Sequence, residues 1–357
     1  MVPNWLGDVV LCLPALHALR QLWPTTHVTL LCKAPLADWL RAQPIVDEVR
    51  SYPPPGRGLR ANLSFARRFG LEGYEVAVLF PNSFRSALLV WLARIPRRIG
   101  YARDGRGLLL TQRPPRHVGG KRHHAEYYLD LARHCGWRGS WRPTAEFPPA
   151  QVAEADRAWV EERLATARVG GRDLLVALAP GAAYGPAKRW LPDRFAAVAR
   201  RLLERWPLRI LLLGGLGDGA VIEQVGGQLG AASVNFAGLT TVGQLAAALQ
   251  RCALLVTNDS GTMHLAAAVG APVVAIFGST DPEWTGPLGD GHRVLAANVP
   301  CRPCFQRTCD IGYQCMESLT VEAVAAEAAE LLTRHLAAHG GANPPRRAFQ
   351  TVPLSLS

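Results

Sequence analysis

The sequence predicts an α/β protein built from two Rossmann-like domains, each a parallel sheet with crossover helices, facing one another across a cleft. Three observations carry this expectation. Short apolar runs alternate with longer helical patterns along the chain, and the alternation breaks once, over residues 138–172, where no buried-strand pattern occurs. The length of 357 residues is enough for two separate cores. The expected division is 1–155, 156–338 and a flexible tail over 339–357.

The strands are expected at "HVTLLC" (27–32), "EVAVLF" (75–80), "DLLVALAP" (173–180), "LRILLLGG" (208–215), "ALLVTN" (253–258) and "PVVAIFG" (272–278). Each is a short apolar run closed by polar, Gly or Pro residues, as strands buried on both faces require. Helical patterns fall at "PALHALRQLW" (14–23), "SALLVWLARI" (86–95), "PDRFAAVARRLLERW" (192–206), "VGQLAAALQRC" (242–252) and "GTMHLAAAVG" (261–270). Near the start, Gly7-Asp8 before Val9, Val10 and Leu13 reads as a helix N-terminus with Asp8 as its cap, and Pro14 either kinks that helix or marks a later start.

Charge narrows the function. The net charge is +11, and residues 1–150 hold 21 Lys and Arg against 10 Asp and Glu, so the whole excess lies in the first half. That half is therefore expected to meet something acidic. Nucleic acid is disfavoured, because aromatics are not interleaved with the basic residues and no recognition-helix motif occurs. No apolar run reaches the ~18 residues of a membrane span, and Asp8 interrupts the opening apolar stretch, which reads as a cytoplasmic protein without a signal peptide. Cys12, Cys32, Cys135 and Cys252 lie scattered in apolar surroundings, as reduced core thiols do.

Chemistry is expected in the loops that follow strands, where helix N-termini gather. The run 254–282 reads strand, the polar turn Asn258-Asp259-Ser260-Gly261, helix, strand, and the loop Ser279-Thr280-Asp281. Free backbone N–H groups over Gly261, Thr262, Met263 and His264 make an anion site, although Ser260 or Thr262 could simply cap the helix. "APGAAYGPAKRW" (179–190) places small residues around Gly181 before Lys188-Arg189, suiting close approach to a phosphate, and it is not a Walker A loop. "GGLGDG" (214–219) is a weak glycine signal, and the absence of a G-x-G-x-x-G frame disfavours an NAD-dependent oxidoreductase. The segments 81–113 and 116–128 hold most of the basic excess, including Arg85, Arg98, Arg103, Arg106, Lys121 and Arg122, a density suited to a multiply anionic ligand. Cys301, Cys304, Cys309 and Cys315 fall in one short window, spaced so that a structural metal competes with simple reduced thiols.

In order along the chain, "NWLGDVVL", "PNSFRSAL", "RRIGYARDGRGLLL", "PGAAYGPAKRW", "NDSGTMHLAAAVGAPVVAIFGSTDP" and "CRPCFQRTC" resemble the ADP-heptose:lipopolysaccharide heptosyltransferases of glycosyltransferase family 9, most nearly the type II enzymes. The resemblance implies a GT-B fold and inverting transfer of heptose from ADP-heptose with no metal or cofactor. It implies an acceptor domain first, binding Kdo-lipid A or heptosyl-Kdo-lipid A peripherally at the cytoplasmic face of the inner membrane, and a donor domain second. By the same resemblance Asp8 matches the general base and Lys188 the lysine near the donor phosphates. Gly181, Asp259, Ser260, Gly261, Thr262, Met263, His264 and Asp281 fall to the donor, and Asn4 with the six basic residues to the acceptor. Other acceptors (types I and III), another nucleotide sugar, or a non-catalytic anionic-glycan binding module remain as alternatives. Family members begin with an apolar strand, whereas here only Met1-Val2 precede Pro3, so the first sheet is expected to lack a strand, leaving apolar surface open and Asp8 less firmly held.

Overall fold

The computed structural model describes residues 1–53, 58–115, 121–144 and 148–338. The expected tail at 339–357 lies outside the described residues. The chain forms two compact units, Met1–Gln151 and Val152–Ser357, and the break falls just before the expected 155.

The first unit runs α1 (Leu6–Leu22), β1 (Thr29–Cys32), α2 (Ala34–Arg41), β2 (Glu48–Ser51), α3 (Gly58–Gly70), β3 (Val76–Leu79), α4 (Phe84–Leu92), β4 (Arg97–Gly100) and α5 (His124–His134). Its strands form two parallel pairs instead of one sheet: β1 with β2, Leu30 opposite Val49, and β3 with β4, Val78 opposite Ile99. Met1 and Val2 lie between the pairs. The Val2 N–H donates to Leu31 O (3.0 Å), the Phe80 N–H to Met1 O (3.2 Å) and the Met1 ammonium to Val78 O (2.8 Å). Beyond Met1 the pairs enclose a slot of about 720 Å³, lined among others by Leu16, Leu19, Leu30, Val76 and Val78. The two pairs thus stand apart with this slot between them, although Leu16, Leu19, Leu30 and Val78 on its walls are buried and no open apolar surface is left there among the described residues.

The loosening of Asp8 does not follow. Helix α1 packs along α5, and Val9 through Leu16 are buried in it without a break. The helix also begins earlier than its apolar pattern suggests. Trp5 takes the N-cap position and makes no side-chain cap bond, so Asp8 is the third helical residue, favourable to the helix dipole but not the cap. Pro14 lies inside the helix, which continues to Leu22 because burial on both sides outweighs the one backbone bond a proline removes.

The second unit runs α6 (Glu154–Thr166), β5 (Leu174–Ala179), α7 (Pro192–Arg205), β6 (Leu208–Leu212), α8 (Gly219–Leu229), β7 (Ser233–Asn235), α9 (Val242–Arg251), β8 (Leu254–Asn258), α10 (Gly261–Ala268), β9 (Val273–Phe277), α11 (Pro282–Thr285), β10 (Arg293–Ala296), α12 (Gln314–Glu317) and α13 (Val321–Ala338). One six-stranded parallel sheet results, in the order β10-β9-β8-β5-β6-β7. The inner strands β8 and β9 are buried at every residue, as a sheet covered by helices on both faces demands. The chain starts at β5, builds outward to β7, and crosses back to β8. Strand order therefore reverses between β5 and β8, and a crevice opens at their carboxyl ends.

Candidate active site

At that reversal Asn258 ends β8, fully buried. Its Nδ2 donates to Pro180 O (2.7 Å) and its Oδ1 accepts the Trp190 N–H (2.9 Å), which fastens the loop after β5 to the end of β8. Asp259 follows at 3 % exposure, and one of its oxygens accepts both Lys188 Nζ (2.5 Å) and Thr280 Oγ1 (2.6 Å). Lys188 closes a single turn over Pro186–Lys188 and lies 4.8 Å from the Tyr184 ring centroid. The loops predicted from sequence thus converge on one buried ion pair.

Ser260 is the N-cap of α10, in extended backbone with no side-chain cap bond, so the first N–H groups of the helix point into the same crevice. Thr262 follows Gly261 in that first turn. Met263 is fully buried and His264 nearly so, leaving their backbone as what this turn presents. The Asp281 carboxylate caps α11 by accepting the Glu283 N–H (3.0 Å) at 6 % exposure, which gives that side chain a structural task. Gly181 is required by a close approach. A Cβ there would lie 2.2 Å from the Asp218 carboxyl carbon. Asp218 itself accepts the Gly215 N–H (2.9 Å) and lies 3.9 Å from Arg189, which brings the "GGLGDG" loop to the rim.

The segment 299–313, legible in sequence only as a cysteine cluster, is a cover strapped over this loop system. Arg302 donates to Gly278 O (2.6 Å), Ala297 O (3.0 Å) and Thr280 O (2.9 Å), while Cys304 and Phe305 N–H both donate to Ser279 O. Among the described residues no three metal-ligating side chains come together. Cys304 is exposed, Cys315 is buried, and burial with the neighbouring thiols pushes the Cys315 thiol up.

In the first unit Asp8 is about one-third exposed, with His124 Nε2 3.9 Å from its carboxylate. The His124 ring stacks on Tyr127 (5.4 Å between centroids) and contacts Tyr128 Oη at 3.1 Å. Burial lowers the His124 pKa, holding the ring neutral, and raises that of Tyr128, with the Asp8 charge adding to the rise. His124 escaped sequence reasoning, because a lone histidine among basic residues carries no distinguishing pattern.

The expected acceptor residues divide. Arg106 is completely buried, and its guanidinium donates to Tyr101 O (2.8 Å), Ser86 Oγ (3.0 Å), Asn82 Oδ1 (3.2 Å) and Pro81 O, so it pins the fold and presents no cation outward. Arg98 donates to Leu109 O (2.6 Å) and Ile95 O (2.5 Å), and Arg122 is paired with Glu126 (2.6 Å) and Asp130 (2.8 Å). These two also serve structure first. Arg85 donates to Pro53 O (2.6 Å) and Asn62 (2.9 Å) and lies over Tyr52, whose hydroxyl donates to Asn4. Arg103 and Lys121 are exposed.

Lys188→Met is expected to destabilise the protein by about 3–5 kcal/mol, because Asp259 would keep a buried charge without its cation. Thermal unfolding checks this. The double variant with Asp259→Asn should recover most of the loss.

The profile of glycosyltransferase family 9 (heptosyltransferase) matches residues 62–314. The chain is 28 % identical over 313 residues to lipooligosaccharide heptosyltransferase 2 of Haemophilus influenzae, covering 82 % of this chain and 86 % of that one. Lipopolysaccharide heptosyltransferase 3 of Escherichia coli also matches, at 24 % identity over 79 % of this chain and 82 % of that one. The solved structure of E. coli ADP-heptose LPS heptosyltransferase II superposes with a TM-score of 0.79 at 26 % identity, covering 93 % and 97 % of the two chains. With the profile match spanning well over half of its length, the chain belongs to glycosyltransferase family 9, the heptosyltransferases.

Proposed function

We propose that this glycosyltransferase moves heptose from ADP-heptose onto the inner core of lipopolysaccharide as a type II enzyme, adding the second heptose. The observation that carries the donor half is the Lys188–Asp259 pair at the β5/β8 reversal beside the N-terminus of α10. Fixed donors and a cation there suit a departing pyrophosphate without a metal ion. Asp8 would take the proton from the attacking heptose hydroxyl, and one base suffices for inversion because no covalent intermediate forms. The similarity to named heptosyltransferase 2 supports type II, and the match to a heptosyltransferase 3 makes the acceptor the point to test. No helix among the described residues is long and apolar enough to cross a membrane, in keeping with peripheral action at the cytoplasmic face of the inner membrane.

The test measures ADP release from ADP-heptose, in chelator, with Kdo-lipid A and with heptosyl-Kdo-lipid A. Release only with the heptosylated acceptor is expected. Equal release with both would overturn the type II reading, and turnover with UDP-sugars alone would overturn the donor.

A further inference from the structure

The rim next to Lys188 carries three exposed aromatic rings that the reading above does not use. Tyr184, Trp284 and Phe305 are 38, 43 and 39 % exposed, yet each is held in place. The Tyr184 hydroxyl donates to Phe305 O (2.7 Å), and the Trp284 and Phe305 rings lie 5.0 Å apart, tilted by 33°. Arg307 lies over the Tyr184 ring at 5.2 Å, and Lys188 lies 4.8 Å from the same ring. Phe305 adopts φ 57°, a left-handed backbone that bulky residues avoid, and two backbone N–H bonds to Ser279 O hold it there. Three rings gathered on one rim, in contrast to apolar residues scattered singly, mark a contact surface.

We infer that Tyr184, Trp284 and Phe305, flanked by Arg307, form a subsite in the second unit for a carboxylate-bearing sugar of the acceptor, in addition to the acceptor residues expected in the first. This inference rests on the proposed transferase reading. A pyranose offers an apolar C–H face that packs on aromatic rings, and its carboxylate suits a guanidinium beside them. A tilted ring pair cradles a puckered sugar better than a flat purine. Position argues the same way: in a nucleoside diphosphate a ribose separates base from pyrophosphate, whereas this shelf directly adjoins the cation assigned to that pyrophosphate. Lys188 is assigned to the donor pyrophosphate, which leaves Arg307 on the same ring for a second anion, the acceptor carboxylate.

The test compares wild type, Trp284→Ala and Trp284→Phe by steady-state kinetics and by saturation-transfer NMR with free Kdo as probe. Trp284→Ala should raise the acceptor KM about tenfold and hold the donor KM within twofold, and Trp284→Phe should restore most of the loss. NMR transfer to the sugar C–H protons should be seen with wild type and lost in Trp284→Ala. An unchanged acceptor KM, or a donor KM that rises in its place, overturns the subsite. Should wild type not turn over ADP-heptose, the function proposed above fails by itself. The NMR result then decides the shelf, and absence of transfer to wild type overturns it.

Discussion

Replacing Asp8 by Asn is expected to lower heptosyl transfer by about 10²–10⁴-fold, the usual contribution of a positioned general base. ADP affinity should stay within about twofold, since the groups assigned to the pyrophosphate belong to the second unit. The exchange keeps the size of the side chain and removes only the charge and the basicity of the carboxylate. Initial-rate assays alongside calorimetric ADP titration separate the two effects. Equal turnover in wild type and variant would remove Asp8 from the chemistry. His124→Ala gives a graded comparison: the ring is neutral and 3.9 Å from the carboxylate, too far for a hydrogen bond, so its loss should change turnover far less than Asp8→Asn does.

The second large effect concerns stability. An apolar, β-branched segment of about five residues added before Met1 should enter the slot between β1 and β3 and join the two strand pairs into one sheet. Each side chain fully buried there contributes about 1.5–3 kcal/mol before ordering costs. For a unit of this size Tm should rise by about 2–4 °C per net kcal/mol. The same addition should remove a pH dependence. With Met1 as the first residue, desolvation lowers the ammonium from 8.0 to about 6. The unfolded chain then binds more protons than the folded one between those values. The amine's contribution to stability is fully present above pH 8 and is lost as pH drops toward 6. Burial lowers His17, His124 and His292 in the same direction, from 6.5, so the two contributions overlap near pH 7 and only the part of the slope that the extension removes belongs to the amine. Tm measured across that window, with and without the extension, reads both expectations. An unaltered Tm and slope would show that the slot does not accept a strand.

The six strands read from sequence all form, because short apolar runs closed by polar, Gly or Pro residues suit strands buried on both faces. The four that sequence missed are β2 (EVRS), β4 (RRIG), β7 (SVN) and β10 (RVLA), short strands rich in polar residues. All four stand at a sheet edge, where apolar periodicity is not required. The loops after β5, β8 and β9 were legible as loops because strand, glycine-rich turn and helix start are local signals. Arg106 was misread because composition registers a charge without its surroundings, and only the fold shows four acceptors closing around it. Trp284 and Phe305 lie 21 residues apart in sequence and 5.0 Å apart in space, a juxtaposition no spacing rule announces.

The Lys188–Asp259 pair has a further consequence as a placeholder. Before donor arrives, the lysine already has an anion as its partner. An incoming pyrophosphate would have to evict a carboxylate, so donor affinity reflects the difference between two anions competing for one cation. The evicted carboxylate keeps its bond from Thr280 and would be left with lone pairs facing the crevice, where sugar hydroxyls need acceptors. A single exchange of partners would thus couple capture of the phosphate to reading of the sugar. An ADP without its sugar would be held by a site still missing half of its partners.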